Sequence, residues 1–198
     1  MSSPAPNTPN TASPTSAKAA MVYQSPALLG AGSVVLNEAQ TLGTVAWLML
    51  HSELHKSLAI GQLATMYLPA IKSGQYILGI ENDIAVFYAA WTKLSFEEER
   101  KFLIHGPLAI TPESWQSGDR VWWMDWIAPF GHSNQAFRHS RHTLWPNMLA
   151  RALYLPPDKT KVMRLIQVHG LEVSQQTACL YFASHPLATA LPTRLSSA

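Results

Sequence analysis

One aspartate in the sequence occupies a position where a carboxylate is costly. Asp125 lies in the aromatic segment VWWMDWI, with Trp123 two residues before it and Ile127 two residues after it. Because side chains alternate along a strand, these three would share one face. A carboxylate between large apolar side chains requires a partner. The partner could be a cation such as Arg120 in a structural pair, or Asp125 could belong to a catalytic site.

A second residue suited to proton transfer is His55, which follows the first predicted helix. The ordinary pKa of histidine lies close to neutral pH, as a general base requires, although a lone histidine is also common as a surface or capping residue. Ser52 stands three residues before it. Serine, histidine and aspartate are the residue types of nucleophilic and general-base catalysis. The Gly-x-Ser-x-Gly elbow is absent, so a serine hydrolase has little support.

Basic side chains gather in the second half of the chain. They are Arg138, His139, Arg141, His142 and Arg151, in a region that the sequence predicts to be helical. Such a helix face is either solvated or complementary to an anionic partner.

Composition and motifs exclude several classes of function. Glycine loops of the kinds that bind dinucleotides or nucleoside triphosphates do not occur, and no group of histidines, cysteines and acids has metal-ligand spacing. The net charge of +2, without a longer run of basic residues, argues against nucleic acid. Charged residues make up 13% of the chain, against about 25% in an average protein. This favours a surface that meets other macromolecules, or a homodimer.

The cellular compartment is indicated by three features. Cys179 is the single cysteine and cannot form an internal disulfide. It is predicted to be buried and inert in the last helix. No apolar run reaches the roughly 18 residues of a membrane-spanning helix, and the first residues lack the apolar core of a secretory signal. The sequence therefore predicts a cytoplasmic protein without a transmembrane segment.

Hydrophobic periodicity predicts an α/β (α+β) domain in which helices flank a mixed central sheet. The predicted helices cover residues 37–50, 57–72, 95–102, 135–154 and 171–182, and the predicted strands cover 75–81, 84–91, 119–128 and 161–169. Asn82 and Asp83 are predicted to form a hairpin turn. Residues 1–35 read as a largely disordered Pro/Ser/Thr/Ala-rich tail, within which the part from Met21 onward could lie against the domain. Residues 36–190 form the domain and 191–198 a flexible end.

Several segments carry a resemblance to a known family. They are GTVAWLMLHSELHK (43–56), LPAIKSGQYIL (68–78), AVFYAAWTKLS (85–95) and SGDRVWWMDWIAPFG (117–131), followed more weakly by WPNMLARAL (145–153) and VHG (168–170). In this order and spacing the chain resembles the RTX toxin-activating lysine acyltransferases, the hemolysin-activating family.

The resemblance implies a fold and an activity. The fold would be similar to that of the Gcn5-related N-acetyltransferases, without their acetyl-CoA pyrophosphate loop. The enzyme would hold no permanent cofactor. It would take a fatty acyl group from the phosphopantetheine thioester of acyl carrier protein, as co-substrate, and place it on internal lysines of an RTX protoxin.

The resemblance also assigns site residues. The family's catalytic histidine and aspartate fall on His55 and Asp125, and its motif serine falls on Ser52, a candidate for stabilising the oxyanion. Arg120, Arg141 and Arg151 are candidates for docking a partner. Tyr154 stands where the family often has a second arginine, three residues after Arg151.

Two other functions fit the same residues. One is an N-acetyltransferase that uses acetyl-CoA, against which the missing pyrophosphate loop weighs. The other is a non-catalytic escort of the toxin, which the low charge and the many tryptophans would suit.

Overall fold

The computed structural model describes residues 21–26, 36–154 and 163–191. They form a mixed α/β domain around one six-stranded sheet with the strand order β1-β2-β3-β4-β5-β6. The strands are β1 (Val22–Gln24), β2 (Tyr76–Glu81), β3 (Ile84–Leu94), β4 (Arg120–Ile127), β5 (Leu149–Tyr154) and β6 (Arg164–His169). The α-helices are α1 (Glu38–Leu50), α2 (Gln62–Met66), α3 (Leu68–Ser73), α4 (Phe96–His105), α5 (Ser133–His139) and α6 (Gln175–Ser184).

Neighbouring strands are antiparallel with one exception, the parallel pair β4 and β5. This pair is in register only over Val121–Trp123 and Ala150–Ala152. Both strands continue past the last paired residues, β4 to Ile127 and β5 to Tyr154. Their carboxyl-terminal ends therefore separate, and the sheet opens beside the second half of β4.

The predicted hairpin is confirmed. Strands β2 and β3 are joined by Asn82 and Asp83, whose φ angles are 51° and 61°. Two central residues with positive φ make the tight hairpin turn that matches the twist of the strands, and Asn and Asp tolerate this conformation better than other residues with side chains.

The first predicted helix is confirmed, and the second is broken into two pieces. Asn37 caps α1 through a capping box with Gln40. In place of one helix over residues 57–72, α2 ends at Met66 and α3 begins at Leu68, with Pro69 in its first turn, where a missing N–H is tolerated. Gly74 ends α3 in the left-handed conformation, with φ of 70°.

The helix predicted over residues 135–154 is wrong in its second half. After α5 the chain makes a π-helical turn at Ser140–Leu144 and then enters strand β5. The segment LARALY has high helix propensity, but its backbone pairs with β4 on one side and β6 on the other. Sheet pairing and burial override local propensity here.

The two ends of the described chain depart from the predictions in detail. Val22–Gln24, inside the predicted tail, form β1 and pair with β2, so this part does lie against the domain. The rest of the predicted tail, residues 1–20 and 27–35, and all but residue 191 of the predicted flexible end lie outside the described residues. Helix α6 runs from Gln175 to Ser184, and Cys179 is exposed on it, so the prediction of a buried thiol is wrong.

The sheet separates two hydrophobic cores. The first core lies on the face covered by α1, α3 and α4 and includes Val45, Ala70 and Phe102. The second core lies on the opposite face, where Ala136 of α5 packs against the tryptophans of β3 and β4. Within the described residues, no helix combines the length and the apolar character that a membrane span requires.

Candidate active site

A β-bulge in β4 decides where Asp125 points. Ala90 of β3 is opposite Asp125, whereas the next residue, Trp91, is opposite Trp123, so Met124 is an extra residue on β4. The bulge interrupts the alternation. Asp125 and Ile127 therefore lie on the face of the first core, and Trp123 lies on the face of the second. The expectation that these three residues share a face is wrong for this reason.

His55 is brought over Asp125 by the turns that follow α1. The backbone N–H of His55 donates to the carbonyl of Ser52 at 3.0 Å, and the N–H of Leu58 donates to the carbonyl of His55 at 3.0 Å. These hydrogen bonds hold residues 52–58 in a compact arrangement against the sheet. The side chain of His55 is 9% exposed, so its position is fixed by packing as well as by hydrogen bonds.

The three site residues predicted from the sequence form one hydrogen-bonded chain. Nε2 of His55 lies 3.0 Å from Oδ1 of Asp125, and Nδ1 of His55 lies 2.6 Å from Oγ of Ser52. An ionised carboxylate can only accept, so Nε2 carries the proton, and in the neutral ring Nδ1 is then the acceptor for the Ser52 hydroxyl. The basic nitrogen of His55 therefore faces Ser52.

Asp125 accepts a second hydrogen bond beside the one from His55. Oδ1 also accepts the backbone N–H of Trp126 at 2.7 Å. Oδ2 is buried and makes no well-formed hydrogen bond with any described residue. Burial raises the pKa of Tyr67 and of Tyr88 far above the ordinary value, and the charge of Asp125 raises both further. Both hydroxyls therefore stay protonated near neutral pH.

The partner of Asp125 is therefore His55 and not Arg120. Arg120 and Arg151 instead share Glu99, which is fully buried: their Nη1 atoms lie 2.5 Å and 3.2 Å from its two oxygens. Trp122 donates its indole N–H to the same carboxylate at 2.8 Å. Burial of both arginines argues against the docking role that the sequence suggested for them.

Arg141 lies at the surface, but its side chain is held in place by contacts. It is half-buried, its Nε donates to the carbonyl of His169 at 2.7 Å, and its guanidinium lies over the ring of Phe137. The sequence suggested that Arg151 belongs to the basic helical region. It lies on β5 instead.

Several apolar side chains are exposed in the segment of the chain that leads to His55. The ring of His51 packs between Trp47 and Phe130, with centroid distances of 4.3 Å and 5.2 Å. Leu50 and Leu54 are each 68% exposed. Isolated exposed leucines are ordinary, but a group of them next to a buried polar chain suits an apolar ligand. Sequence reasoning missed this group, whose only signal was the run of apolar residues before His51.

The described residues contain no group of three or more histidines, cysteines and acids placed to hold a metal ion.

A buried carboxylate, an imidazole and a hydroxyl in series, carried by an α/β domain, are the parts with which enzymes activate a nucleophile for acyl transfer. The family follows from the sequence comparisons: the chain belongs to the RTX toxin acyltransferase family, whose model matches residues 34–169. This confirms the resemblance found in the sequence motifs.

Named relatives agree with this membership. The chain is 38% identical over 152 residues to the leukotoxin-activating lysine-acyltransferase LktC serotype A1 of Mannheimia haemolytica, covering 76% of this chain and 90% of the relative. It is 36% identical over 150 residues to the RTX-I toxin-activating lysine-acyltransferase ApxIC of Actinobacillus pleuropneumoniae, covering 76% and 86%. It is 37% identical over 146 residues to the protein-lysine myristoyltransferase HlyC of Escherichia coli, covering 74% and 84%.

Proposed function

We propose that this protein transfers a fatty acyl group from the phosphopantetheine thioester of an acyl carrier protein to internal lysines of an RTX protoxin, which it thereby activates. The observation that carries the proposal is the hydrogen-bonded series Ser52–His55–Asp125. The names of the relatives, toxin-activating lysine-acyltransferases and a protein-lysine myristoyltransferase, support the acceptor and the kind of acyl group.

The site supplies a base for the acceptor amine. Freeing a lysine of its proton at neutral pH costs about 4 kcal/mol, and a positioned base removes much of this cost by taking the proton during attack. Because Nδ1 of His55 faces Ser52, the proton would pass from the amine to Oγ of Ser52 while the Ser52 proton passes to Nδ1. Asp125 would hold the tautomer and stabilise the imidazolium.

The lysine ammonium gives up two protons in all: one goes to solvent, and the other passes through Ser52 and His55 to the leaving thiolate, so the transfer step balances without any further reactant. The amine nitrogen attacks the thioester carbonyl and forms the amide bond. The carbon–sulfur bond breaks when the tetrahedral intermediate collapses. The leaving thiolate takes the proton from the His55 imidazolium, which returns the free phosphopantetheine thiol and the neutral site. Once Ser52 has passed its proton to Nδ1, its hydroxyl carries the former amine proton and could donate it in a hydrogen bond to the oxyanion, an interaction typically worth about 3 kcal/mol.

A covalent route uses the same residues in another order. The acyl group would first form an ester on Ser52 or an acyl-imidazole on His55, and the lysine amine would then attack that intermediate. The two routes can be distinguished by mixing the enzyme, without toxin, with a carrier protein whose acyl group is radioactive. A trapped acyl-enzyme supports the covalent route. No label on an enzyme that goes on to acylate the toxin completely once toxin is added supports direct transfer.

The opening of the sheet supports acyl carrier protein as the donor. Strands β4 and β5 stop pairing after Trp123 and Ala152, next to Asp125. The partly buried Met124, Leu153 and Leu165 pack against the first core in this region. Separated strand ends suit a thin phosphopantetheine arm followed by an acyl chain, and we propose that the fold is similar to that of the Gcn5-related N-acetyltransferases. The sequence has no glycine-rich loop for the pyrophosphate of coenzyme A, which favours a carrier protein as donor.

The experiment is reconstitution from purified components. Protoxin, this protein and myristoyl acyl carrier protein are mixed, and the toxin is examined by intact-mass and peptide mass spectrometry. We expect added acyl mass on internal lysines with the carrier, and little with acetyl-CoA. No acylation with the carrier, or equal transfer from acetyl-CoA, would contradict the proposal. A carrier-dependent enzyme would act in the cytoplasm, and the suggested homodimer stays a prediction that sedimentation analysis can test.

A further inference from the structure

One oxygen of the Asp125 carboxylate lacks a well-placed donor. Oδ1 accepts two hydrogen bonds, from Nε2 of His55 at 3.0 Å and from the backbone N–H of Trp126 at 2.7 Å. Oδ2 is buried and makes no well-formed hydrogen bond with a described residue. A buried carboxylate oxygen without a donor is costly, so we expect a nearby group to donate to it.

Two buried tyrosine hydroxyls on the same side of the sheet also lack a well-formed hydrogen bond. They belong to Tyr67 and Tyr88, which are almost completely buried in the first core. Their ring centroids are 5.9 Å apart. A third tyrosine, Tyr76, has a partner in Thr41, whose Oγ1 lies 3.4 Å from its hydroxyl. Tyr67 and Tyr88 are therefore the candidate donors for Oδ2 in the described part of this core.

The register of β3 and β4 places Tyr88 diagonally across from Asp125. Ala90 of β3 is opposite Asp125, and Tyr88 is opposite Ile127. Tyr88 and Ala90 share a face because side chains alternate along a strand, and this is the face of the first core. Diagonal neighbours of an antiparallel pair lie within about 8 Å of each other, in reach of an aromatic side chain. Tyr88, and the ring of Tyr67 packed on it, therefore belong to the surroundings of Asp125.

The two hydroxyls differ in how they interact with Asp125. Burial raises the pKa of Tyr67 most, the charge of Asp125 raises it further, and a side-chain hydrogen bond with Asp125 adds to both effects. Burial and the charge of Asp125 also raise the pKa of Tyr88, but without such a hydrogen bond. The contact between Tyr67 and Asp125 is not well formed, which is common at active sites before the substrate binds. Tyr67 is therefore the better placed donor.

The backbone on both sides of Tyr67 is fixed. Its N–H donates to the carbonyl of Leu63 at 3.1 Å, and its carbonyl accepts the N–H of Ile71 at 3.1 Å. Tyr67 thus stands at the junction where α2 ends and α3 begins. The break in the predicted helix over residues 57–72 carries a tyrosine whose side chain lies in the first core. A side chain held in this way is preorganised to act on Asp125.

We propose that Tyr67 is a positioning residue of the acyltransferase site, and that its hydroxyl donates to Oδ2 of Asp125. This inference rests on the proposed function. A donor to the carboxylate stabilises the ionised form, so the Asp125–His55 pair takes up a proton less readily. Because the imidazole must be neutral to accept the proton of Ser52, Tyr67 keeps the pair in its reactive form at neutral pH.

Tyr67→Phe tests this role through the pH dependence of acylation. The substitution leaves in place His55 and Tyr88, the other titratable groups that the described residues place against Asp125. We expect the acidic limb of the kcat/KM profile to move to higher pH by about half a unit, which lowers kcat/KM on that limb about threefold. At pH values above the limb, kcat/KM should stay within about twofold of that of the unaltered protein.

Two matched substitutions distinguish donation from packing. Tyr23→Phe removes another buried hydroxyl without a well-formed hydrogen bond, in β1 and against the second core, and should leave the profile unchanged. Tyr88→Phe removes the hydroxyl that senses only the charge of Asp125, and should move the acidic limb less than Tyr67→Phe does. An unmoved limb in Tyr67→Phe, or an equal movement in Tyr88→Phe, would overturn the assignment of Tyr67.

Nuclear magnetic resonance tests the same hydrogen bond without acylation. In protein labelled with 15N-histidine, the Nε2–H proton of His55 reports its bond to Asp125, and its signal is identified by its loss in His55→Ala. With one donor fewer, more of the carboxylate charge is available to His55, so the signal should move downfield in Tyr67→Phe. A downfield shift supports the role of Tyr67 even if no toxin is acylated. An unchanged signal contradicts it even if acylation is efficient.

Discussion

Nε2 of His55 lies 3.0 Å from Oδ1 of Asp125, a hydrogen bond between residues 70 positions apart in the chain. Because the carboxylate can only accept, this contact sets the tautomer of the ring and leaves the lone pair of Nδ1 directed at Ser52. Asp125 thus acts on the chemistry by fixing the tautomer of His55. The roles of the two residues can be distinguished by substitutions that keep the shape of a side chain and change its protonation.

Asp125→Asn tests the tautomer. The amide of Asn can donate to Nε2, which would move the ring proton to Nδ1 and abolish the acceptor facing Ser52. We expect lysine acylation to fall at least about 10²-fold, with the melting temperature nearly unchanged. Mass spectrometry of the toxin measures the loss. Glu81→Gln alters a second buried histidine–carboxylate pair, with His132, and should keep activity. An active Asp125→Asn protein would refute the proposed role.

His55→Ala removes the base itself. The expected loss of acylation is again at least about 10²-fold, the low end of general-base contributions. The buried imidazole leaves a small cavity next to Asp125, so circular dichroism and a melting curve should accompany the assay. Normal acylation of toxin lysines by a folded His55→Ala protein would show that another residue takes the proton.

The features of the fold that depend on neighbouring residues could be predicted from the sequence. The capping residue Asn37 and the turn residues Asn82 and Asp83 predict their elements because the relevant hydrogen bonds and φ angles lie within a few residues. The need of Asp125 for a partner was also predictable from its apolar neighbours. The bulge at Met124 was not, because it depends on the register with β3.

The misassigned arginines have a similar cause. Arg151 reads as part of a basic helix as long as β5 is taken for a helix, and Arg120 reads as a free cation beside Asp125. Their true partner, Glu99, is 21 positions from Arg120 and 52 from Arg151. In the sequence it stands among the acidic residues of a predicted helix start, which gives no sign of burial. Pairings of this kind are set by tertiary packing.

Buried tyrosines predict sensitivity to alkali. Burial and the charge of Asp125 raise the pKa of Tyr67 in the folded protein, and burial raises that of Tyr23 to about 12. A group whose pKa is higher in the folded state contributes stability that is complete below the unfolded pKa of about 10 and is lost as the pH rises through the folded value. The free energy of unfolding should therefore fall steeply above about pH 10.

Tyr67→Phe should reduce that alkaline loss. The Tyr67 hydroxyl is buried without a well-formed hydrogen bond, so its removal should change stability at neutral pH by no more than about 1 kcal/mol. Urea unfolding at about pH 8 and about pH 11 measures both effects. An identical fall in the two proteins would show that Tyr67 ionises as readily in the folded state as in the unfolded chain.

Glu99 should be a major determinant of stability without a part in the reaction. Its carboxylate is fully buried and binds Arg120, Arg151 and the indole N–H of Trp122. Removing one member of a buried charged network typically costs about 3–5 kcal/mol. In Glu99→Gln the two guanidinium groups would face each other without their counter-charge. We expect a loss of this size in the free energy of unfolding.

A neighbouring glutamate provides the control. Glu97 is exposed in the first turn of the same helix, and surface substitutions of this kind usually change the free energy of unfolding by about 0.5 kcal/mol or less. Glu97→Gln should therefore unfold almost as the unaltered protein does. Activity per folded molecule should be retained in both variants at a temperature where Glu99→Gln is still folded. If Glu99→Gln is as stable as Glu97→Gln, the buried network is not a source of stability. A selective loss of activity in the folded Glu99→Gln protein would instead place Arg120 or Arg151 in the reaction, because that network would then be positioning a group that meets the substrate.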